Sequence, residues 1–188
     1  MKKYKLTTET LQFAGRTLHR IKAVKDFDSI KAGEFGGWIE NEKNLSQDDN
    51  AWIYGNAMVF DNAMVFDNAK VYGNANVSDY AKVYGNAEVY GNANISYYAK
   101  VYGNAVIKGD AIVHDAVDYI VFKNFWSSGR YFTWTSSNNK WSVGCFYGTS
   151  EELIKKAYAD SEKSGREYER VVRYVESILA DEKKEKSN

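Results

Sequence analysis

From Ala51 the chain repeats itself every six residues, and few folds tolerate that spacing. The blocks read AWIYGN, AMVFDN, AMVFDN, AKVYGN, ANVSDY, AKVYGN, AEVYGN, ANISYY, AKVYGN, AVIKGD and AIVHDA. Alanine opens each one, from Ala51 to Ala111, and the third position is always Val or Ile, from Ile53 to Val113. Two weaker blocks, 39–44 and 45–50, precede them. A period of six fits neither an α-helix nor a coiled coil, and Gly or Asp in most blocks penalises helix formation. In an extended segment, residues two apart share a face, so Ala and Val point the same way. Gly-Asn or Asp-Asn then supplies a residue that tolerates positive φ, where a bend can form. Each block is a short strand and a corner.

The irregular blocks ANVSDY and ANISYY begin at Ala75 and Ala93, eighteen residues apart. Three blocks per turn would place them directly above one another. The spacing of an aliphatic residue and a small one four positions later (Val71 and Ala75, Val83 and Ala87) resembles the general hexapeptide pattern. That resemblance implies a left-handed parallel β-helix of triangular section with three hexads per coil. The expected fold is therefore mainly β, with a β-solenoid over 39–117. At the usual strand spacing the stack would be about 20 Å tall.

A solenoid ends in unpaired edges that invite polymerisation unless covered. Residues 1–38 read as an N-terminal β cap, a hairpin turning at Ala14-Gly15. Residues 118–180 read as a small α+β cap. Three strands are expected, over 119–126, 130–135 and 140–146. A capping box at Thr149-Ser-Glu-Glu152 should open a helix to about Ala159, and a second should run from about Gly165 to Ala180. Residues 181–188 read as a charged, frayed tail.

Several functions are disfavoured by composition. Among 188 residues there is one cysteine, two histidines, no proline and a formal net charge of zero. One cysteine excludes an internal disulfide framework, and two histidines cannot form a multi-histidine metal site within one chain. Zero net charge gives no general attraction to polyanions, so nucleic acid ranks low as a partner. Lys82 and Lys100 do share a column. No apolar run is long enough for a membrane span or a signal peptide, so a cytoplasmic protein is expected. No cofactor or metal is expected.

An acyltransferase built on such a solenoid needs a histidine base, and His114 is the sole solenoid histidine. It is either that base or, the reading preferred, a substituted aromatic in an outward column. His19 reads as an edge-strand residue, and Cys145 as a packed core thiol. With no catalytic constellation evident, the chain is expected not to be an enzyme. The candidate partner-binding residues form three columns, Tyr54, Tyr72 and Tyr90; Phe66, Tyr84 and Tyr102; Tyr80 and Tyr98. Trp126, Arg130 and Tyr131 join them from the C-terminal cap. Tyr offers apolar area with a polar tip, which suits protein interfaces. Stacked like side chains also stabilise any solenoid, so the columns could serve the fold alone.

Arg16–Phe27, Gly36-Gly-Trp-Ile-Glu40, the repeated Val-Tyr-Gly-Asn-Ala and Gly144-Cys-Phe-Tyr-Gly-Thr-Ser-Glu-Glu152 together resemble a family of uncharacterised phage and prophage proteins. Where relatives often carry a second cysteine, this chain has none. The resemblance implies a phage origin and no established activity. It suggests a non-catalytic scaffold that binds a host protein, such as a CRISPR or other immune effector. A self-associating or virion-associated solenoid is the structural alternative, and an acyltransferase the enzymatic one.

Overall fold

The computed structural model describes residues 2–126 and 128–185. It is mainly β, with a solenoid of about four turns and two C-terminal helices. The N-terminal hairpin joins β1 (Tyr4–Phe13) to β2 (Arg16–Ala23) through Ala14 and Gly15, both at positive φ. Strand β2 pairs antiparallel with β3 (Phe35–Ile39), which opens the first coil.

Beyond it, two-residue strands recur every six residues on three faces. The first face continues from β3 through β5 (Met58–Val59), β8 (Asn76–Val77), β11 (Asn94–Ile95) and β14 (Ile112–Val113). The second holds β4 (Trp52–Ile53), β7 (Lys70–Val71), β10 (Glu88–Val89) and β13 (Val106–Ile107). The third holds β6 (Met64–Val65), β9 (Lys82–Val83) and β12 (Lys100–Val101). Within each face the pairing is parallel and joins residues eighteen apart, as in Val59↔Val77 and Ile95↔Val113. The coil therefore has the eighteen-residue turn read from the two irregular blocks.

Alanine and the aliphatic residue of each block point inward and are fully buried, from Ala51 and Ile53 to Ala111 and Val113. Burying each Val or Ile stabilises the stack by roughly 1.5–3 kcal/mol. The fifth residue of each of the first ten blocks lies at a corner in the left-handed region, whereas Asp115 in the last is extended. Nine of these ten corners are Gly or Asp; the tenth is Tyr97, at φ 54°. Corner carboxylates serve the backbone: Asp67 accepts from the Gly85 N–H and Asp79 from the Tyr97 N–H, one coil on. Asparagine side chains run in ladders, Asn50 to Asn68 to Asn86.

Both ends are covered. At the N-terminal end Lys3 is buried and its ammonium donates to the Asp49 and Ala51 carbonyls at 2.9 and 2.8 Å. The Tyr4 hydroxyl donates to the Leu45 carbonyl at 2.8 Å. At the other end a four-stranded antiparallel sheet forms: β15 (Tyr119–Lys123), β16 (Tyr131–Thr135), β17 (Lys140–Val143) and β18 (Phe146–Gly148). Three strands were expected. The segment 140–146 is divided by a turn at Gly144 and Cys145, because Gly144 sits at φ 55° and ends the pairing of β17. The last coil's donors find side chains in this sheet and its β16–β17 turn: Val106 N–H donates to Thr133 Oγ1 at 3.0 Å and Ile112 N–H to Ser137 Oγ at 2.7 Å.

Helix α1 (Ser150–Asp160) begins at the expected capping box of Thr149 and Glu152. Helix α2 (Glu162–Glu185) starts earlier and ends later than its apolar stripe implies. Ion pairs Arg170–Glu167, Arg173–Glu169 and Arg173–Glu176 lie along its polar side. Of the frayed tail expected over 181–188, residues 186–188 lie outside the described residues, and helix occupies 181–185. The cap has its own core of Phe132, Trp134, Trp141, Val143, Leu153, Val172 and Val175. No helix among the described residues is long and apolar enough to cross a membrane.

Candidate ligand-handling surface

The outward columns stack as the coil dictates. On the second face Tyr72 and Tyr90 lie parallel at 4.4 Å between ring centroids, with Tyr54 edge-on to Tyr72 at 6.2 Å. Lys108 ends this column; its ammonium lies 5.6 Å above the Tyr90 ring and 5.2 Å from that of Tyr147. On the third face Phe66, Tyr84 and Tyr102 stack at 4.9 and 5.3 Å. Tyr80 and Tyr98 stack at 5.2 Å along its border. The paired rings spend their faces on each other and turn edges and hydroxyls outward. Only a terminal ring keeps an open face, and Tyr98 is the most exposed of the columns, at 72%.

Charged groups that the sequence did not single out join the second face. The Tyr72 hydroxyl donates to Glu88 Oε2 at 2.8 Å, and Lys70 pairs with Asp28 at 3.3 Å. Burial and then the Glu88 carboxylate hold the Tyr72 phenol far above its usual range. Tyr54, Lys70, Tyr72 and Glu88 border a shallow depression of about 330 Å³.

A different corner carries the histidine. His114 is exposed, at the fourth position of the last block, and its ring meets that of Tyr97 edge-on at 4.7 Å. Its backbone N–H donates to Asp118 Oδ2 at 2.7 Å, which fixes the chain as it leaves the solenoid. Tyr97 is a non-glycine residue in the left-handed region, which costs roughly 1–2 kcal/mol for a side chain with a Cβ. Such strain clusters at functional positions. The column reading Phe60, Ser78, Ser96, His114 is uneven: Phe60 is buried beneath Phe13 and Arg16 of the hairpin, and His114 alone reaches solvent fully.

The cap residues lie apart from these columns. Trp126 is half-buried against Phe132 and Tyr168, and its indole N–H is buried without an acceptor among the described residues. Tyr131 is half-buried, with the Lys123 ammonium 5.9 Å over its ring. Arg130 is exposed. Phe125, another aromatic of the cap, is 87% exposed. His19 is half-buried on β2, its Nδ1 3.4 Å from the Thr7 carbonyl. Cys145 is exposed, not the packed core thiol expected, because the Gly144 turn lifts it out of the sheet. Among the described residues no group of three His, Cys, Asp or Glu side chains could hold a metal ion.

Coil, corners and end caps define the molecule as a β-solenoid. Its repeats match the family model described as the YdcK beta solenoid repeat, over residues 51–65 and 99–115. The chain is similar to a curated protein of Escherichia coli (strain K12) named "Uncharacterized acetyltransferase YdcK". The two are 39% identical over 62 residues, which is 29% of this chain and 19% of the relative. The chain thus spans less than a fifth of that relative's length. This likeness overturns the expectation that the chain is not an enzyme, which had rested on the lack of a multi-residue constellation. Neither comparison supports a phage-borne or anti-CRISPR role.

Proposed function

We propose that this solenoid is a scaffold for acyl transfer, with His114 as the proton acceptor. The similarity to the acetyltransferase-named relative carries the reading. It is supported by the exposed His114 ring seated against a strained Tyr97. The unprotonated ring nitrogen of a neutral imidazole can take the proton of an attacking amine or hydroxyl. The new C–N or C–O bond forms as the thioester C–S bond breaks, and the imidazolium returns its proton to the departing thiolate. The left-handed sense of coiling belongs to the same proposal, supported by the aliphatic-to-small spacing of the blocks.

Thiol release from acetyl-coenzyme A, followed over a panel of amine and hydroxyl acceptors, tests this. His114→Ala should lower turnover by about 100-fold or more, the usual worth of a general base. Release that is absent from the intact protein, or unchanged by the substitution, would sink the proposal.

A second reading, capture of a protein partner, is favoured by the cluster of exposed rings Tyr80, Tyr97, Tyr98 and Tyr102. Affinity capture from a bacterial lysate should then yield a partner that the fourfold Tyr→Ser variant loses. Equal capture by both proteins would remove that reading.

A further inference from the structure

The segment Gly144–Glu152 is untouched by chemistry at His114, yet it shapes a concave site in the C-terminal cap. A cavity of about 170 Å³ opens between the β17–β18 turn and α1. Its floor is apolar, formed by Val143, Phe146 and Leu153. Its rim is cationic on two sides. Arg130 lies across the turn, its Cδ at ordinary contact distance, 3.5 Å, from where a Cβ on Gly144 would sit. Lys156 approaches from α1. Neither cation has a hydrogen-bond or ion-pair partner among the described residues, and Lys156 makes no ion pair with Asp160, one helical turn on. Among the described residues Asp160 is the single carboxylate on the rim, so two unpaired positive charges face one negative. Cys145 stands at the mouth, exposed.

We infer that this cavity binds a small organic acid, its carboxylate held by Arg130 with Lys156 and its apolar tail laid on Val143 and Leu153. Guanidinium is the side chain best matched to a carboxylate, through two parallel N–H···O bonds. An unpartnered guanidinium beside an apolar floor selects a ligand that is charged at one end only. Butanoate, with a short apolar tail and one carboxylate, has the chemistry to probe a cavity of this kind. The inference is independent of acyl transfer, since its residues lie outside the Tyr97–His114 corner.

Cys145 is the chain's one cysteine, so its labelling by a disulfide reagent reports on this site alone. Saturating butanoate, against chloride at equal ionic strength, should slow labelling several-fold and raise the thermal midpoint. Butanamide, of the same shape without charge, should do neither. Arg130→Gln, an exposed substitution whose folding is checked by circular dichroism, should abolish the protection. The inference is overturned if butanoate produces neither effect. It is equally overturned if butanamide protects as well, or if protection survives in the folded Arg130→Gln protein.

Discussion

Replacing Gly91 with alanine is expected to destabilise the fold by about 2–5 kcal/mol, a large share of the 5–15 kcal/mol that holds a typical domain together. Two costs add. Gly91 sits at φ 78°, and a residue with a Cβ loses roughly 1–2 kcal/mol there. The new methyl would also lie 2.8 Å from the Gly109 amide nitrogen and 2.9 Å from its carbonyl oxygen, one coil further on. Backbone cannot yield as a side-chain tip does, and overpacking of this kind costs roughly 1–3 kcal/mol. Gly103 provides the control. Its φ of 68° imposes the same conformational cost, yet nothing lies within 4 Å of its would-be Cβ. Gly103→Ala should therefore lose only about 1–2 kcal/mol. Urea unfolding of the two variants separates strain from coil contact; equal losses would mean that the coils do not press on each other at their corners.

That contrast also shows what a linear sequence carries. The eighteen-residue turn was legible because defects repeat with it: Ser78 and Ser96 mark the same column, and their blocks stack in the structure. Local periodicity fixes such a solenoid, since every coil contacts its neighbour at one constant separation. Non-periodic contacts were hidden. Nothing in the spacing announces that Lys3 is buried under the first coil, held by carbonyls 46 and 48 residues away. The turn that splits 140–146 depends on one glycine in a run that otherwise alternates like a single strand, and it exposes Cys145. At the candidate site, His114 was visible as the lone solenoid histidine. Its neighbour carries a mark of its own, since Tyr97 occupies the one left-handed corner without Gly or Asp. That substitution was the available signal. The columns of tyrosine were legible as columns, but whether rings offer faces or edges depends on χ angles that no repeat pattern encodes. Their mutual stacking shifts weight toward support of the solenoid.

Buried phenols make the fold sensitive to alkali in a direction that can be worked out. Burial pushes the Tyr119 phenol from its ordinary 10.0 up to about 12, and Tyr4 and Tyr72 are raised as well, each chiefly by burial. Between the ordinary and the raised values the native state keeps a proton that the unfolded chain has released. Stability is therefore complete below pH 10 and falls as pH rises toward and through the native values. For Tyr119, which is 9% exposed, a gap of about two pH units at about 1.36 kcal/mol each gives a loss that approaches roughly 3 kcal/mol above pH 12. Lys3 acts in the opposite sense: burial lowers its pKa, so the native state sheds that proton first and stability rises through that window. Three phenols against one ammonium leave a net decline. Urea unfolding at intervals from pH 8 to about 12 should show a plateau and then a steepening loss of stability. Tyr119→Phe should be weaker at pH 8, because the hydroxyl no longer donates to the Lys100 carbonyl at 2.8 Å. It should then decline less steeply than the wild type above pH 10. Parallel curves for the two proteins would show that the Tyr119 phenol titrates alike in the folded and unfolded chain.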